Sequence, residues 1–435
     1  MKTFSSYILH AVVAFTVLFS LAACSNDSYL NSIPADSSAL ISLSTPKSFL
    51  DYKGIDVGSK VFLFVSADGN LGVCAKVNDS DELEEYLNHL AEKGLCEKVT
   101  KKRGYRFSML KNSFLAGFSD NSLLLMGPIT LDGQAVLMNQ MARLFAQDEE
   151  HSILSSRLYT TIDSIDAPMA MVAQAKALPE QIVTPFTLGT PQGTDASQVY
   201  VSAAISISKG VLLFDGKTFS YNKTVNQSLQ EAAQTYRPLK GRYTASMPSD
   251  APLGLFMNID GKKFLPLLRG NRGIQALLAG INGAIDMDNI IKSIDGDMSL
   301  VMPVNSPDHT NMSMAAELSN ANWLADVDYW KQSCPSGASI TNWKKKAFTF
   351  TDGKTTFCFG VSDDLQFYSG RTPSAALASI RPSDNPQPAN IQKLIKGQKL
   401  VMIINMGALS GKQAAILAYL KPVLGDIDKI VYRLK

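Results

Sequence analysis

Five cysteines and four histidines are the side chains of this 435-residue sequence best suited to metal or thiol chemistry, and their spacing gathers neither kind into a site. Cys74, Cys96, Cys334 and Cys358 stand far apart, and none forms the close C-x-x-C pair of zinc or redox motifs. In an oxidising compartment these four can pair in several ways. Their order suggests Cys74 with Cys96 and Cys334 with Cys358, one bridge in each half of the chain; buried free thiols on apolar strands are the alternative. His89 lies between Glu85 and Glu92. A two-histidine metal face on a helix needs its second ligand four residues on, where Lys93 stands. His151 sits among Asp148, Glu149 and Glu150, and His309 follows the polar stretch Asn305-Ser306-Pro307-Asp308.

The remaining motifs are weaker. No Gly-x-Ser-x-Gly elbow offers a serine nucleophile. Gly216-Lys217-Thr218 and Gly353-Lys354-Thr355 look like the end of a phosphate loop, but Val211 and Phe348 stand where its first glycine belongs, so both are expected to be hairpin tips. Asp286, Asp288, Asn289, Asp295 and Asp297 approach a calcium loop, yet Ile291 replaces the glycine that makes its sharp turn. Asp286 and Asp288 fit better as the start of a helix over Asn289 to Ile294, with Asp295-Gly296 turning into a strand from Met298 to Met302. Glu84-Glu85 and Glu149-Glu150 are adjacent pairs whose side chains diverge on a helix. A hydrolase drawing two carboxylates from distant segments stays open. No catalytic residue, metal ligand set or cofactor is therefore assigned. Two basic runs recur, Lys101-Lys102-Arg103 and Lys344-Lys345-Lys346. They read as solvated charge guarding a strand edge, with contact to an anion, a lipid headgroup or an acidic polysaccharide as the functional alternative. A net charge of +2 and the lack of interleaved aromatics give no case for a nucleic-acid partner.

The elements that carry these residues begin with a targeting segment. Met1 to Ala23 opens on Lys2 and continues in the apolar run from Ala11, shorter than the roughly 20 residues a spanning helix needs. It ends in Leu21-Ala22-Ala23-Cys24, followed by Ser25-Asn26-Asp27-Ser28. Small residues before a cysteine resemble the signal of bacterial lipoproteins. That resemblance implies cleavage after residue 23, a diacylglycerol on the Cys24 thiol, a tether over residues 24–29, and outer-membrane sorting on an unspecified face. Two or more acyl chains anchor stably where one is marginal, so the lipid on Cys24 is the expected link to the membrane.

The mature body, about 410 residues, is comfortable for two domains, and its sequence repeats. Ile33-Pro34-Ala35-Asp36-Ser37 leads into Ala39 to Leu43 as Met247-Pro248-Ser249-Asp250-Ala251 leads into Leu253 to Met257. Each is expected to be a proline-initiated turn, a buried strand and a helix start. Lys101 to Gly127 lies on Lys344 to Gly370 without a gap, and Met169 to Val172 on Leu400 to Ile403. Three matches in one order predict two homologous halves, 30–236 and 237–435. In the first, Leu71 to Val77 is a strand and Asp79 with Glu82 caps a helix that stops near Gly94. Met312 to Leu318 and a helix over Asn322 to Gln332 take those places in the second. Asp352-Gly353 between Phe348 to Phe350 and Thr356 to Phe359 signals a hairpin, as does Asp215-Gly216 between Leu212 to Phe214 and Thr218 to Tyr221; Lys429 to Tyr432 is the last strand. The fold class expected is α+β, each half a mostly antiparallel sheet with helices packed on one face.

A lipobox combined with the Ile33 to Ser37 opening resembles a family of uncharacterised lipoproteins of Bacteroides-type bacteria, over nearly all of the mature chain. The resemblance implies fold and location and brings no activity or catalytic residue. The function expected is a lipid-anchored cell-envelope protein, a non-catalytic binding or scaffold module whose partner is a glycan or an envelope protein. An envelope- or glycan-directed hydrolase is the alternative.

Overall fold

A computed structural model of the chain describes residues 27–44, 53–110, 113–178, 180–271, 274–275, 284–302, 312–408 and 426–434. The signal segment, Cys24 and His309 lie outside them. In chain order the elements are β1 (Ala39–Leu43), β2 (Val61–Val65), β3 (Leu71–Lys76), α1 (Ser80–Glu92), β4 (Thr100–Lys102), β5 (Tyr105–Leu110), β6 (Phe114–Phe118) and β7 (Ser122–Gly127). Helices α2 (Gln134–Ala146) and α3 (Arg157–Asp163) lead to β8 (Met169–Gln174), α4 (Glu180–Thr187), β9 (Tyr200–Ser208), β10 (Val211–Phe219) and α5 (Lys223–Ala233). After β11 (Tyr236–Arg237) come β12 (Leu253–Asp260), α6 (Gly261–Gly270), α7 (Met287–Lys292), β13 (Ile294–Val301), β14 (Ser313–Leu318) and α8 (Val327–Gln332). The chain continues through β15 (Ser339–Lys344), β16 (Ala347–Thr351), β17 (Thr356–Val361), β18 (Gln366–Gly370), α9 (Pro373–Ala378), α10 (Ala389–Ile395), β19 (Leu400–Asn405) and β20 (Lys429–Leu434). It is an α+β protein with mostly antiparallel sheets.

Two compact units divide it, one of Met1–Ser37 with Phe49–Thr160 and one of Ser38–Ser48 with Thr161–Lys435. In the first unit the strands run β2-β3-β7-β6-β5-β4, every neighbour antiparallel. The expected α1 forms where its cap is placed: Asp79 accepts from the Asp81 and Glu82 amides, satisfying donors that the first turn leaves orphaned. Leu83 and Leu87, one turn apart on its inner face, pack on Val61, Ala75, Val77 and Phe118.

In the second unit the order is β15-β16-β17-β18-β14-β13-β12-β19-β20-β10-β9-β8-β1. All of these pairs are antiparallel except β10 with β20. The compact division therefore does not fall at residue 236, because β8, β9 and β10 pair into the same sheet as β12 to β20. Nor are helices confined to one face here. Leu400 and Met402 join a cluster with Phe264 and Leu265 of α6 and Ile290 of α7. Val401 and Ile403, alternating with them, join Ile391 and Ile395 of α10. A strand buried on both faces reads as a continuous apolar run rather than an alternation, and Leu400 to Ile404 is such a run.

The pairing order of the first unit, β2-β3-β7-β6-β5-β4, recurs in the second as β13-β14-β18-β17-β16-β15. Register repeats too. Ala39 faces Ala173 and Leu43 faces Met169, as Leu253 faces Ile404 and Met257 faces Leu400. Both proline turns close alike, Ser37 N donating to Pro34 O and Ala251 N to Pro248 O, each at 3.2 Å. The gapless overlay of Lys101 to Gly127 on Lys344 to Gly370 is not kept. Leu110 faces Phe114 where Thr351 faces Thr356, and Phe118 faces Leu123 where Val361 faces Phe367, so each later hairpin loop is one residue longer.

Candidate functional site

The predicted disulfides are not formed; all four cysteines of the body are free. Cys74 lies on β3 and Cys96 forms a bridge with Leu110 at the far side of β5. With β7, β6 and β5 between, several strand spacings of roughly 4.8 Å separate them, beyond the reach of a disulfide. Cys74 Sγ instead faces the Tyr29 carbonyl at 3.5 Å, and burial pushes its thiol pKa well up. Cys96 Sγ donates to Leu87 O at 3.2 Å. Cys334 packs on the cluster of Trp323 and Phe359, whereas Cys358, next to Phe359 on β17, points to the opposite face with Tyr368 and Ala376. Alkylation of the folded protein is expected to modify half-buried Cys96 and Cys334 first and Cys74 and Cys358 only on unfolding. An intact mass four hydrogens short under non-reducing conditions would overturn this assignment.

The other sequence candidates disperse. His89 is exposed on α1 with Nδ1 3.4 Å from Glu92, and His151 is exposed with Nδ1 2.6 Å from Asp148. Asp286 caps α7 by accepting from the Asn289 amide, Asp288 pairs with Arg269, and Asp295 pairs with Arg237 at 2.8 Å. Asp297 is buried and takes backbone donors, so the acidic residues do not converge. Gly353-Lys354-Thr355 is a hairpin tip between β16 and β17. Gly216-Lys217-Thr218 is not: β10 runs unbroken through Asp215-Gly216, and its turn from β9 is at Lys209-Gly210, both with positive φ. The two basic runs sit at the tight turns joining β4 to β5 and β15 to β16. Lys101 pairs with Glu84 at 3.3 Å and Lys346 with Asp363 at 3.0 Å.

What the structure does assemble is a cavity of about 460 Å³ within the second unit, between the end of α4, the end of β10, α5 and Leu434 of β20, a volume in the range of small-molecule sites. Each wall has a local cause. Asn222 caps α5 by accepting from the Thr224 and Val225 amides, and Val225, Leu229 and Ala232 fall on its inner face. Gly189, at φ 84°, lets the chain leaving α4 run against α5, since a Cβ there would collide with Ala232. Phe186 meets the Tyr432 ring edge-on at 4.9 Å between centroids. Next to the cavity, Arg433 Nε and Nη2 clasp Asp215 with two 2.6 Å bonds across the parallel β10–β20 ladder.

Phe186, Leu188, Phe219, Leu229 and Leu434 dominate the lining, and among the described residues it includes no carboxylate, histidine or cysteine. Several polar groups are already engaged. Ser220 Oγ donates to Gln198 O at 2.6 Å, and Asn226 Oδ1 accepts from Ser220 N at 3.0 Å. Tyr236 is buried, its hydroxyl has no hydrogen-bond partner among the described residues, and burial raises its pKa. None of these residues was singled out in the sequence for ligand binding; Lys217 and Thr218 were noticed only as part of a motif that fails.

A family model described as a domain of unknown function, DUF4836, matches residues 51–373. The chain belongs to the DUF4836 family. That match spans both units and ends at Pro373, the first residue of α9. No curated protein matches. Two crystal forms of TP0453 are similar among solved structures. Form IV is 9% identical over 44% of this chain and 80% of that one with a TM-score of 0.29, and form III is 10% identical over 43% and 68% with a TM-score of 0.26. Likeness at that level carries no weight for function.

Proposed function

We propose that this DUF4836 protein is a lipid-anchored component of the bacterial cell envelope whose body is a non-catalytic binding module, with the cavity between β10 and α5 as its ligand site. The carrying observation is the lining: a concave, largely apolar surface with a few hydroxyl and amide groups, suited to holding a small molecule. A glycosidase-type hydrolase would need two carboxylates about 5–10 Å apart around its substrate, and this cavity supplies neither. The anchor rests on the Leu21 to Cys24 lipobox. The repeated strand order, register and proline turns support descent of 30–236 and 237–435 from one duplicated unit.

Two measurements test this together. Cells grown with an alkyne-tagged fatty acid are expected to label the wild-type chain and not Cys24→Ala. A neutral photoactivatable alkyl probe, added to the detergent-extracted full chain, is expected to attach to peptides from β10 and α5. Ala233→Trp, which fills the cavity, should remove that labelling while the far-ultraviolet circular dichroism is unchanged. Labelling spread evenly over the surface would sink the ligand-site proposal, and acyl labelling of Cys24→Ala would sink the anchor.

A further inference from the structure

We infer that the ligand is an amphiphile with an apolar chain and a single anionic group, a long-chain carboxylate or a monoacyl phosphate, its anion held by Lys217. This rests on the cavity being a ligand site and adds the class of molecule. The polar groups still free at the lining are the ground for it. Lys217 lies on β10 at the cavity and is exposed, and its ammonium makes no ion pair or hydrogen bond among the described residues. The nearest acid on its own strand, Asp215, is held by both arms of the Arg433 guanidinium. Among the described residues the side-chain amide of Gln230, exposed on α5, makes no hydrogen bond, and the Asn226 amide nitrogen is left over once its oxygen has accepted from Ser220. Spare donors therefore outnumber spare acceptors, and one donor carries a full positive charge.

Charge and apolarity ask for different things of one molecule. A neutral hydrocarbon would satisfy Phe186, Leu188 and Leu229 and leave Lys217 to water. A small free anion would pair with Lys217 and leave the apolar wall uncovered. A chain ending in a carboxylate or phosphate satisfies both: its methylenes leave water for the apolar wall, and the headgroup gains a charge-assisted bond to the exposed ammonium. An ammonium, as a compact charge with three rotatable donors on a flexible stem, takes either headgroup, so carboxylate and phosphate are not distinguished by the lysine alone.

The experiment uses the full lipidated chain in mild detergent with a photoactivatable palmitate, and the labelled peptides are mapped by mass spectrometry. Label is expected on peptides spanning residues 211–236. Unlabelled palmitate or lysophosphatidic acid should compete, the better competitor naming the headgroup, while methyl palmitate and inorganic phosphate should compete at least tenfold less well. Lys217→Glu should cut labelling at least tenfold and Lys217→Arg should largely retain it; both substitutions are at an exposed position, and unchanged far-ultraviolet circular dichroism is the check that the fold is kept. If methyl palmitate competes as well as palmitate, or Lys217→Glu labels like wild type, the anionic class is overturned while the cavity remains a site for apolar ligands. If the palmitate label maps away from β10 and α5, and the neutral probe does as well, the ligand site itself falls.

Discussion

Asp297→Ala is expected to lower the unfolding free energy of the second unit by about 3–5 kcal/mol, the cost of removing one partner from a buried charged network. Asp297 is 1% exposed on β13. Its Oδ1 accepts from Lys240 N at 3.0 Å and Asn258 Nδ2 at 2.8 Å, and its Oδ2 from Gly241 N at 2.7 Å and Arg242 N at 2.9 Å. Three consecutive backbone amides therefore point at one carboxylate, and this holds the 240–242 segment on the sheet. Glu317 closes the arrangement from β14, accepting from Asp297 N at 2.8 Å and pairing with Lys240 and Arg242 at 3.2 Å each. Alanine leaves all four donors without their acceptor, and each orphan that water does not replace costs about 1–3 kcal/mol before relaxation. Asparagine keeps the shape but offers one acceptor oxygen and turns an amide group toward backbone N–H donors, so Asp297→Asn should fall between alanine and wild type. The readout is selective, since the three tryptophans, Trp323, Trp330 and Trp343, all lie in the second unit. Denaturant titration followed by tryptophan fluorescence would show a midpoint shifted well down; a loss under about 1 kcal/mol would mean that the segment is held by other contacts.

Asp297 also shows why part of this protein was legible in its sequence and part was not. Along the chain it belongs to the run Asp286 to Asp297, which approaches a calcium loop but lacks its glycine, and nothing local named the partner it would take. An irregularity in the β13–β14 register between Ile294 and Met298 breaks the simple alternation there: Asp295 is exposed and pairs with Arg237, and Asp297 is buried against a segment more than fifty residues upstream. Local signals fared better. The Asp79 cap, the Asp352-Gly353 turn and the proline turns at Pro34 and Pro248 depend on neighbours a few residues away, and each forms as expected. Asp215-Gly216 carried the same turn signal and lost to tertiary context: β10 is pinned between β9 and β20, and a turn at Asp215 would break both ladders. The cysteine pairing failed for a related reason, since chain order says nothing of the β7, β6 and β5 strands that lie between Cys74 and Cys96.

The cavity was the least legible part. It arises where α4, α5, β10 and Leu434 stop short of filling the space between them, and unfilled space has no residue type. Only the inner stripe Val225, Leu229 and Ala232 hinted that α5 packs by one face. The repeated segments were visible because they lie in sequence order. The parallel β10–β20 ladder was not, because that contact links residues about two hundred positions apart, Asp215 with Arg433 among them.

Gly261→Ala sets helix propensity against packing. Propensity alone favours alanine by about 1 kcal/mol in a helix interior, and Gly261 opens α6 with no positive φ to excuse it. The backbone around it decides otherwise. A Cβ at Gly261 would run into the Ile291 carbonyl oxygen and lie 2.9 Å from that carbonyl carbon and 3.1 Å from the Ile294 oxygen. These are main-chain atoms at the junction of α7 and β13, so no side chain can swing aside. Relief requires α6 to lift from α7, which uncovers Phe264 and Leu265, each 2% exposed in the main core cluster. The expected loss is about 3 kcal/mol, at the upper end for overpacking. Gly270, at the other end of the same helix, provides the control. A Cβ there meets nothing closer than Thr190 O at 3.9 Å, so Gly270→Ala should be neutral or slightly stabilising by a few tenths of a kcal/mol. Unfolding both variants by denaturant, with tryptophan fluorescence as the probe, separates the two causes. Equal effects would mean that glycine flexibility, rather than the contact of α6 with the α7–β13 junction, sets stability here, whereas a loss confined to Gly261→Ala places the constraint in that junction.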